Sequence, residues 1–210
     1  MNNYWEKVWS DPDLQEYQIY ILKYMHSEWS FIKLFHRDGI KLVCDAACGF
    51  GAMSALLASN GFQIAGFDVA QSAVDLTKKL LHQYEFNTDE YIKSEITSIR
   101  YPSERFDGVV AHSVIDHLNY SDANIAIMEL LRILRPGGLL YLSFDPLEEK
   151  DLMMEYDILE DGSFVYKGPD REGLLFRYYE ESDIDQLLGN RTVVYRGVNH
   201  RGEREIILRK

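Results

Sequence analysis

Apolar positions along this chain change period several times, and each change marks an element. Between 13 and 36, Leu14, Tyr17, Ile21, Tyr24 and Met25 recur at threes and fours, which predicts a helix. Asp11-Pro12 suits its start and Asp38-Gly39 its close. The period then shortens. Residues 41–47 read as a strand, 51–60 as a helix closed by Gly61, and 63–68 as a second strand. A helix follows at 72–84, with Val74, Leu76, Leu80 and Leu81 apolar, and a short third strand falls near 90–94. A fourth strand is expected at 106–112 and a fifth at 139–144. Between them, 121–134 reads as a helix with Ile125, Met128, Leu131 and Leu134 on one face. Strands apolar almost throughout, alternating with helices, predict a parallel sheet covered on both faces.

After Asp145 the alternation stops. Residues 148–156 are charged and Met-rich, and Asp161-Gly162 predicts the turn of a hairpin with 163–167 as one arm. Residues 180–188 read as a helix, and 191–198 with 205–209 as a closing hairpin around 199–202. A length of 210 residues fits one domain, 1–210, with 1–38 as an N-terminal helical cap and 146–180 as an insertion.

Composition narrows the class. Hydrophobic content of 46% and charged content of 27% are ordinary for a soluble globular chain. The net charge of −12 and the absence of a basic run argue against a nucleic-acid partner. Cys44 and Cys48 are too few and too close for a disulfide framework, and are expected as buried, reduced thiols. With no His beside them they make a poor metal site, so no metal is expected. The longest apolar run, 139–144, is too short to span a bilayer, and the opening MNNYWEKVW does not read as a signal peptide. The expectation is a cytoplasmic protein with no membrane partner.

Candidate chemistry concentrates in 42–53, LVCDAACGFGAM. An apolar run ends in an acid, passes through a turn of small residues and enters a helix. Gly49 and Gly51 permit positive φ and close approach of backbone to a ligand. Asp45 stands at the carboxyl end of the first strand, the edge at which open α/β sheets bind ligands. Seventeen residues after Gly51, Asp68 ends the second strand, placed to accept hydrogen bonds from ribose hydroxyls. Together these point to a nucleotide-like cofactor.

From 41 to 144, and more loosely to its end, the chain resembles the class I S-adenosylmethionine (SAM)-dependent methyltransferases of the small-molecule type. Their D-x-G-x-G-x-G motif stands here as Asp45-Ala46-Ala47-Cys48-Gly49-Phe50-Gly51, with Ala47 where the first glycine usually sits, and a slight adjustment of the loop is expected. The resemblance implies that Asp45, Ala47, Cys48, Gly49 and Gly51 surround the methionine part of the cofactor. It further implies Asp68 on the ribose hydroxyls, Val69 beside the adenine, and Glu95-Ile96 at the adenine edge, Glu95 replacing the usual Asp. Residues 106–112 resemble the fourth motif, which adds His112, and Pro136-Gly137-Gly138 the turn that follows. The implied fold is α/β, a doubly wound, seven-stranded, mostly parallel sheet of order 3-2-1-4-5-7-6. Strand 7 would be antiparallel, with an N-terminal helical cap and a small inserted hairpin. The implied activity is methyl transfer from SAM to a small-molecule acceptor, leaving S-adenosylhomocysteine (SAH). The alternatives are a SAM- or SAH-binding protein without transfer, and a protein methyltransferase. An NAD-binding domain fits less well, because G-x-G-x-x-G read from Gly49 ends in Ser54. Monomer and homodimer both remain open.

A sulfonium methyl is already activated, so alignment and a dry pocket come first, and a base is needed only if the nucleophile must lose a proton. His117 and His112, after the fourth strand, are candidates for base or orienting group; the competing reading is a cap or a surface residue. Asp145, at the tip of the fifth strand, is a candidate or a turn residue before Pro146. Tyr4, Trp5 and Trp9 either pack a helix on the sheet or form a lid, with Tyr4 or Trp5 near the cofactor carboxylate. Met153, Met154, Tyr156, Phe164, Tyr166, Phe176, Tyr178 and Tyr179 supply an apolar wall, and Arg171 and Arg177 offer charge to an anionic acceptor. A hairpin that packs on itself or dimerises is the competing reading of that segment.

Overall fold

Three helices open the chain: α1 (Asn2–Ser10), α2 (Leu14–His26) and α3 (Ser30–Arg37). The structure, a computed structural model, describes residues 2–169 and 171–210. The single helix expected at 13–36 is broken, because Ser27 (ψ 149°) and Trp29 (ψ 129°) are extended. Neither proline nor glycine marks the break, and Trp29 is buried against Tyr24 and Phe31, so the apolar period runs on across it. Asp13 caps α2, accepting from the amides of Gln15 and Glu16 at 3.0 and 3.1 Å.

The core alternates as expected: β1 (Leu42–Ala46), α4 (Ala52–Ser59), β2 (Gln63–Asp68), α5 (Gln71–His82), β3 (Tyr91–Lys93), β4 (Phe106–Ala111), α6 (Tyr120–Ile133) and β5 (Leu134–Phe144). A single 3-10 turn, Ile115–His117, sits between β4 and α6. The remainder is α7 (Glu149–Leu152), β6 (Tyr156–Ile158), β7 (Phe164–Tyr166), β8 (Leu175–Phe176), α8 (Glu181–Leu188), β9 (Thr192–Val198) and β10 (Arg204–Arg209). The main sheet runs β3-β2-β1-β4-β5-β10-β9, parallel as far as β5, with β10 antiparallel to both its neighbours. This is the anticipated order. It gathers the carboxyl ends of β1, β2, β4 and β5 along one edge.

Helices cover both faces. Phe35 of α3 is fully buried where a Cβ on Gly108 of β4 would lie 2.9 Å from its ring, so the glycine makes room for it. Burying such a ring contributes about 1.5–3 kcal/mol. The face expected of α6 is corrected by the structure. Ile125 and Met128 are 36% and 55% exposed, while Ala123, Ala126, Ile127, Leu130 and Ile133 are buried. Two alanines let that side of the helix lie close to the sheet, and this outweighs the larger apolar residues on the other side. The inserted hairpin gains a third strand. The antiparallel sheet β6-β7-β8 stands beside the carboxyl edge, with Asp161 and Gly162 in its first turn.

Candidate active site

The loop after β1 follows from its small residues. Ala47, Gly49 and Gly51 all take left-handed φ, at 61°, 53° and 86°. For Ala47 this costs about 1–2 kcal/mol that a glycine would avoid. Asp68 fixes the loop to the tip of β2: its two oxygens accept from the amides of Gly49 (3.0 Å) and Ala70 (2.9 Å). Burial raises the Asp68 pKa, and these amides oppose the shift. The Val69 amide also favours the charged carboxylate, and with three amides on its roughly four acceptor sites the group keeps room for a further donor. Thr77 donates to the carbonyl of Gly49 at 2.8 Å from behind.

Beneath the loop, Asp45 accepts from the Ser54 hydroxyl at 2.5 Å, and Ser54 accepts from the Tyr91 hydroxyl at 2.7 Å. Burial pushes the Asp45 carboxyl up to about 6. Gly66 admits the Tyr91 ring, which would lie 2.4 Å from any Cβ placed there.

A cavity of about 230 Å³ opens at this edge. Its wall brings together Ala47, Gly49, Asp68, Val69, Glu95, Ile96 and Trp5 from the expected set. Trp9 joins them, 3.2 Å from where a Cβ on Gly49 would stand. Asp45, Cys48 and Gly51 are not in this wall. Asp45 lies under the loop in its hydroxyl chain, and Cys48 is a buried free thiol against Thr77, its pKa pushed up by burial. A Cβ on Gly51 would meet Thr77 at 3.0 Å. Tyr4 packs edge-on to Trp5 among the side chains of the insertion. His112 is turned away, its Nε2 2.9 Å from Glu203, with Tyr24 and Trp29 edge-on to the ring. Sequence reasoning missed Asp122 and Thr97 in the wall. Nothing local marks either: Asp122 reads as a first-turn acid of α6, bonded to its cap Asn119.

A second cavity, about 360 Å³, adjoins the first and shares Trp5 and His117 with it. Leu174 and Phe176 of the insertion give it an apolar side. The rest is charged. Lys150 pairs with Glu148, Arg171 with Asp151 at 2.7 Å, and Arg201 with Glu203 at 2.6 Å. Burial alone would raise the Glu203 pKa, but bonds from His112, Asn199 and Arg201 bring it down to about 2. Asp145 also lines this cavity, accepting from the Ser113 hydroxyl at 3.2 Å. Its amide donates to Asp116 at 3.0 Å. Asp116 is wholly buried; burial and the nearby Asp145 charge hold its carboxyl well above the usual range. Ser113 itself is held at φ 49°, a conformation that non-glycine residues adopt at a cost.

Two expectations for the insertion are corrected. Arg177 does not reach the cavity: its guanidinium lies over Tyr120 and Tyr179 and donates to the Asp161 carbonyl. The apolar residues do not form one wall, since Tyr179 packs on Phe144 in the core and Met153 is 83% exposed.

His117 stands at the seam. Its Nδ1 is 3.0 Å from the Leu175 carbonyl, and Trp5 meets the ring edge-on at 5.0 Å. A carbonyl only accepts, so Nδ1 carries the proton and, in the neutral ring, Nε2 carries the lone pair. Burial lowers the ring's pKa, with the Leu175 carbonyl and Asp145 opposing, so the neutral form prevails at pH 7.

Comparisons with known proteins bear on the fold that carries this site. Residues 44–142, just under half the chain, match the family described as "Methyltransferase domain". The ubiquinone biosynthesis O-methyltransferase of Coxiella burnetii is 29% identical over 103 residues, 49% of this chain and 43% of that protein. The chain thus spans less than half the length of this curated relative. The crystal structure of the PH0226 protein from Pyrococcus horikoshii superposes with a TM-score of 0.72 at 20% identity, covering 84% of this chain and 85% of that one. The 1,6-didemethyltoxoflavin-N1-methyltransferase of Burkholderia thailandensis, solved with its acceptor and SAH, gives 0.66 at 16% identity over 94% and 81%. These likenesses show the fold. No helix among the described residues is long and apolar enough to cross a membrane.

Proposed function

We propose that this chain, whose residues 44–142 match the methyltransferase-domain family, moves a methyl group from SAM to a small-molecule acceptor and leaves SAH. The observation that carries the reading is the junction of two cavities at Trp5 and His117. The first fits the cofactor. Asp68 has acceptor capacity left at the strand tip for a ribose hydroxyl, Val69, Glu95 and Ile96 would flank the adenine, and Ala47 and Gly49 bring backbone to the methionine part. When bound, the sulfonium supplies a methyl carbon already activated for displacement.

The chain's own residues then do three things. Trp5, Leu174 and Phe176 keep the junction dry. The second cavity holds the acceptor in line. His117 takes the acceptor's proton at Nε2, while the Leu175 carbonyl keeps the ring in the required tautomer. A cavity of about 360 Å³ suits a small molecule better than a polypeptide. We read 1–210 as one domain, with 1–38 as its cap and 146–180 as the acceptor-side element. The buried free thiols of Cys44 and Cys48 support a reducing, cytoplasmic setting.

Calorimetric titration with SAM, SAH and NAD⁺ in parallel tests the reading. The expected result is binding of both sulfur compounds, no heat with NAD⁺, and an affinity about 100-fold weaker in Asp68→Ala, since bonds to a carboxylate are worth roughly 1.5–3 kcal/mol each. Binding of NAD⁺ alone overturns it.

A further inference from the structure

Helix α5 (Gln71–His82) begins at Ala70, whose side chain offers no acceptor to the first-turn amides. Free amides at a helix start need a partner. Here it comes from another helix. Glu6 of α1, 65 residues earlier, accepts from the Gln71 amide through Oε2 at 2.9 Å, and its Oε1, 66 residues from Ser72, accepts from the Ser72 amide at 3.0 Å. The Ser72 hydroxyl donates to the Glu6 carbonyl at 3.1 Å, and Lys93 of β3 stands 3.7 Å from the same carboxylate. These amide bonds hold the Glu6 carboxyl below its ordinary pKa, and a negative charge at a helix start is favourable.

The residues on either side of Glu6 explain why this matters. Trp5 and Trp9 wall the cofactor cavity, and Trp9 rests over Gly49 and against Phe50. Tyr4 packs into the insertion. Helix α1 therefore forms part of the cavity wall and is fastened by apolar contacts at the loop and the insertion, and at α5 by the Glu6 carboxylate and by the Ser72 hydroxyl on the Glu6 carbonyl. The Glu6 side chain is 40% exposed, so water can replace its bonds reversibly when the helix lifts. Lifting α1 would carry Trp5 and Trp9 away from the cavity wall.

We propose that Glu6 is a positioning residue, which holds α1 in the wall of the cofactor cavity and so sets how fast the cofactor product leaves. The proposal rests on that cavity being the SAM and SAH site. The test uses a Trp29→Phe parent, in which Trp5 and Trp9 alone report by fluorescence. SAH is displaced from the parent, from Glu6→Ala and from Glu6→Gln in a stopped-flow instrument. Removing a cap of this strength should speed release about tenfold in Glu6→Ala, with Glu6→Gln in between. Acrylamide should quench the ligand-free Glu6→Ala protein more strongly than the parent. Gln71→Ala removes a first-turn side chain bonded to Asp75 and leaves the amides in place, so it should not change release. Equal release rates in parent and Glu6→Ala overturn the proposal alone, as does equal acceleration by Gln71→Ala. SAH that fails to bind the parent overturns the cofactor reading, and the proposal with it.

Discussion

The two cavities that meet at His117 are made of different materials. The first is shaped by strand ends and backbone: a loop held in left-handed φ, one buried acid at a strand tip, and the small residues Ala47 and Gly49. The second is shaped by long charged side chains from the insertion and from the turn between β9 and β10, arranged in three ion pairs. A backbone-built site cannot change without moving the sheet. A site of side-chain ion pairs can be altered one residue at a time: Lys150–Glu148 is well exposed and contributes about 1 kcal/mol or less to stability, while Asp151 and Glu203 are buried and held by their cations. On the proposed reading, the cofactor side is fixed by the sheet and the acceptor side by side chains that can be exchanged singly.

The sharpest test falls on the seam. His117→Ala should lower kcat by about 100-fold or more, the usual contribution of a general base, with SAH affinity little changed. The sign of the pH dependence follows from the neutral ring being the active form. Burial lowers the His117 pKa, so kcat/KM should rise with pH through a value below that of an ordinary imidazole and be flat from neutrality upward. The variant should lack that limb. Turnover unchanged in His117→Ala would leave the seam without chemistry and the two cavities without a reason to meet.

Next in size is the backbone side. Gly66→Ala would place a methyl 2.4 Å from the Tyr91 ring and 3.0 Å from the Asp45 carbonyl. Tyr91 must shift, and the chain from Tyr91 through Ser54 to Asp45 loosens. Overpacking of this kind costs about 1–3 kcal/mol, which urea unfolding would read, and SAH binding should weaken with it. On the other side, Arg171→Gln removes one half of a pair whose Arg side chain is 31% exposed. Because Asp151 is buried and would lose its cation, stability should fall by about 1–3 kcal/mol, acceptor KM should rise several-fold, and the Kd for SAH should hold. A weakened Kd would mean that the two cavities are not separable.

The same contrast decides what could be read from the sequence. The cofactor side was legible because its signals are local. Asp68 closes an apolar run, Gly49 and Gly51 sit where left-handed turns are needed, and helices alternate with strands. What was hidden depends on contacts between distant segments. Glu6 caps a helix 65 residues away, and Arg201 with Glu203 sits on what reads only as a hairpin turn. The break at Ser27 and Trp29 carries no breaker residue. In α6 the buried face was missed because Ala123 and Ala126 carry little hydrophobic weight in a periodic pattern, although close packing favours them.

The smallest expected effect is a null, and it bears directly on the comparison. Gly168 lies in the insertion near the second cavity, outside the left-handed region, and a Cβ there would meet only the Met154 methyl at 3.9 Å, an ordinary contact. Gly168→Ala should therefore leave thermal unfolding unchanged or raise stability by about 0.4–1 kcal/mol, because alanine has fewer unfolded conformations to lose. It adds the same methyl as Gly66→Ala, so the two variants differ only in what surrounds it. If Gly168→Ala destabilised the protein as much as Gly66→Ala, the insertion would be as tightly fixed as the sheet. The acceptor side would then be a second rigid site, and the freedom to retune it would have to lie in the side chains of the three ion pairs alone.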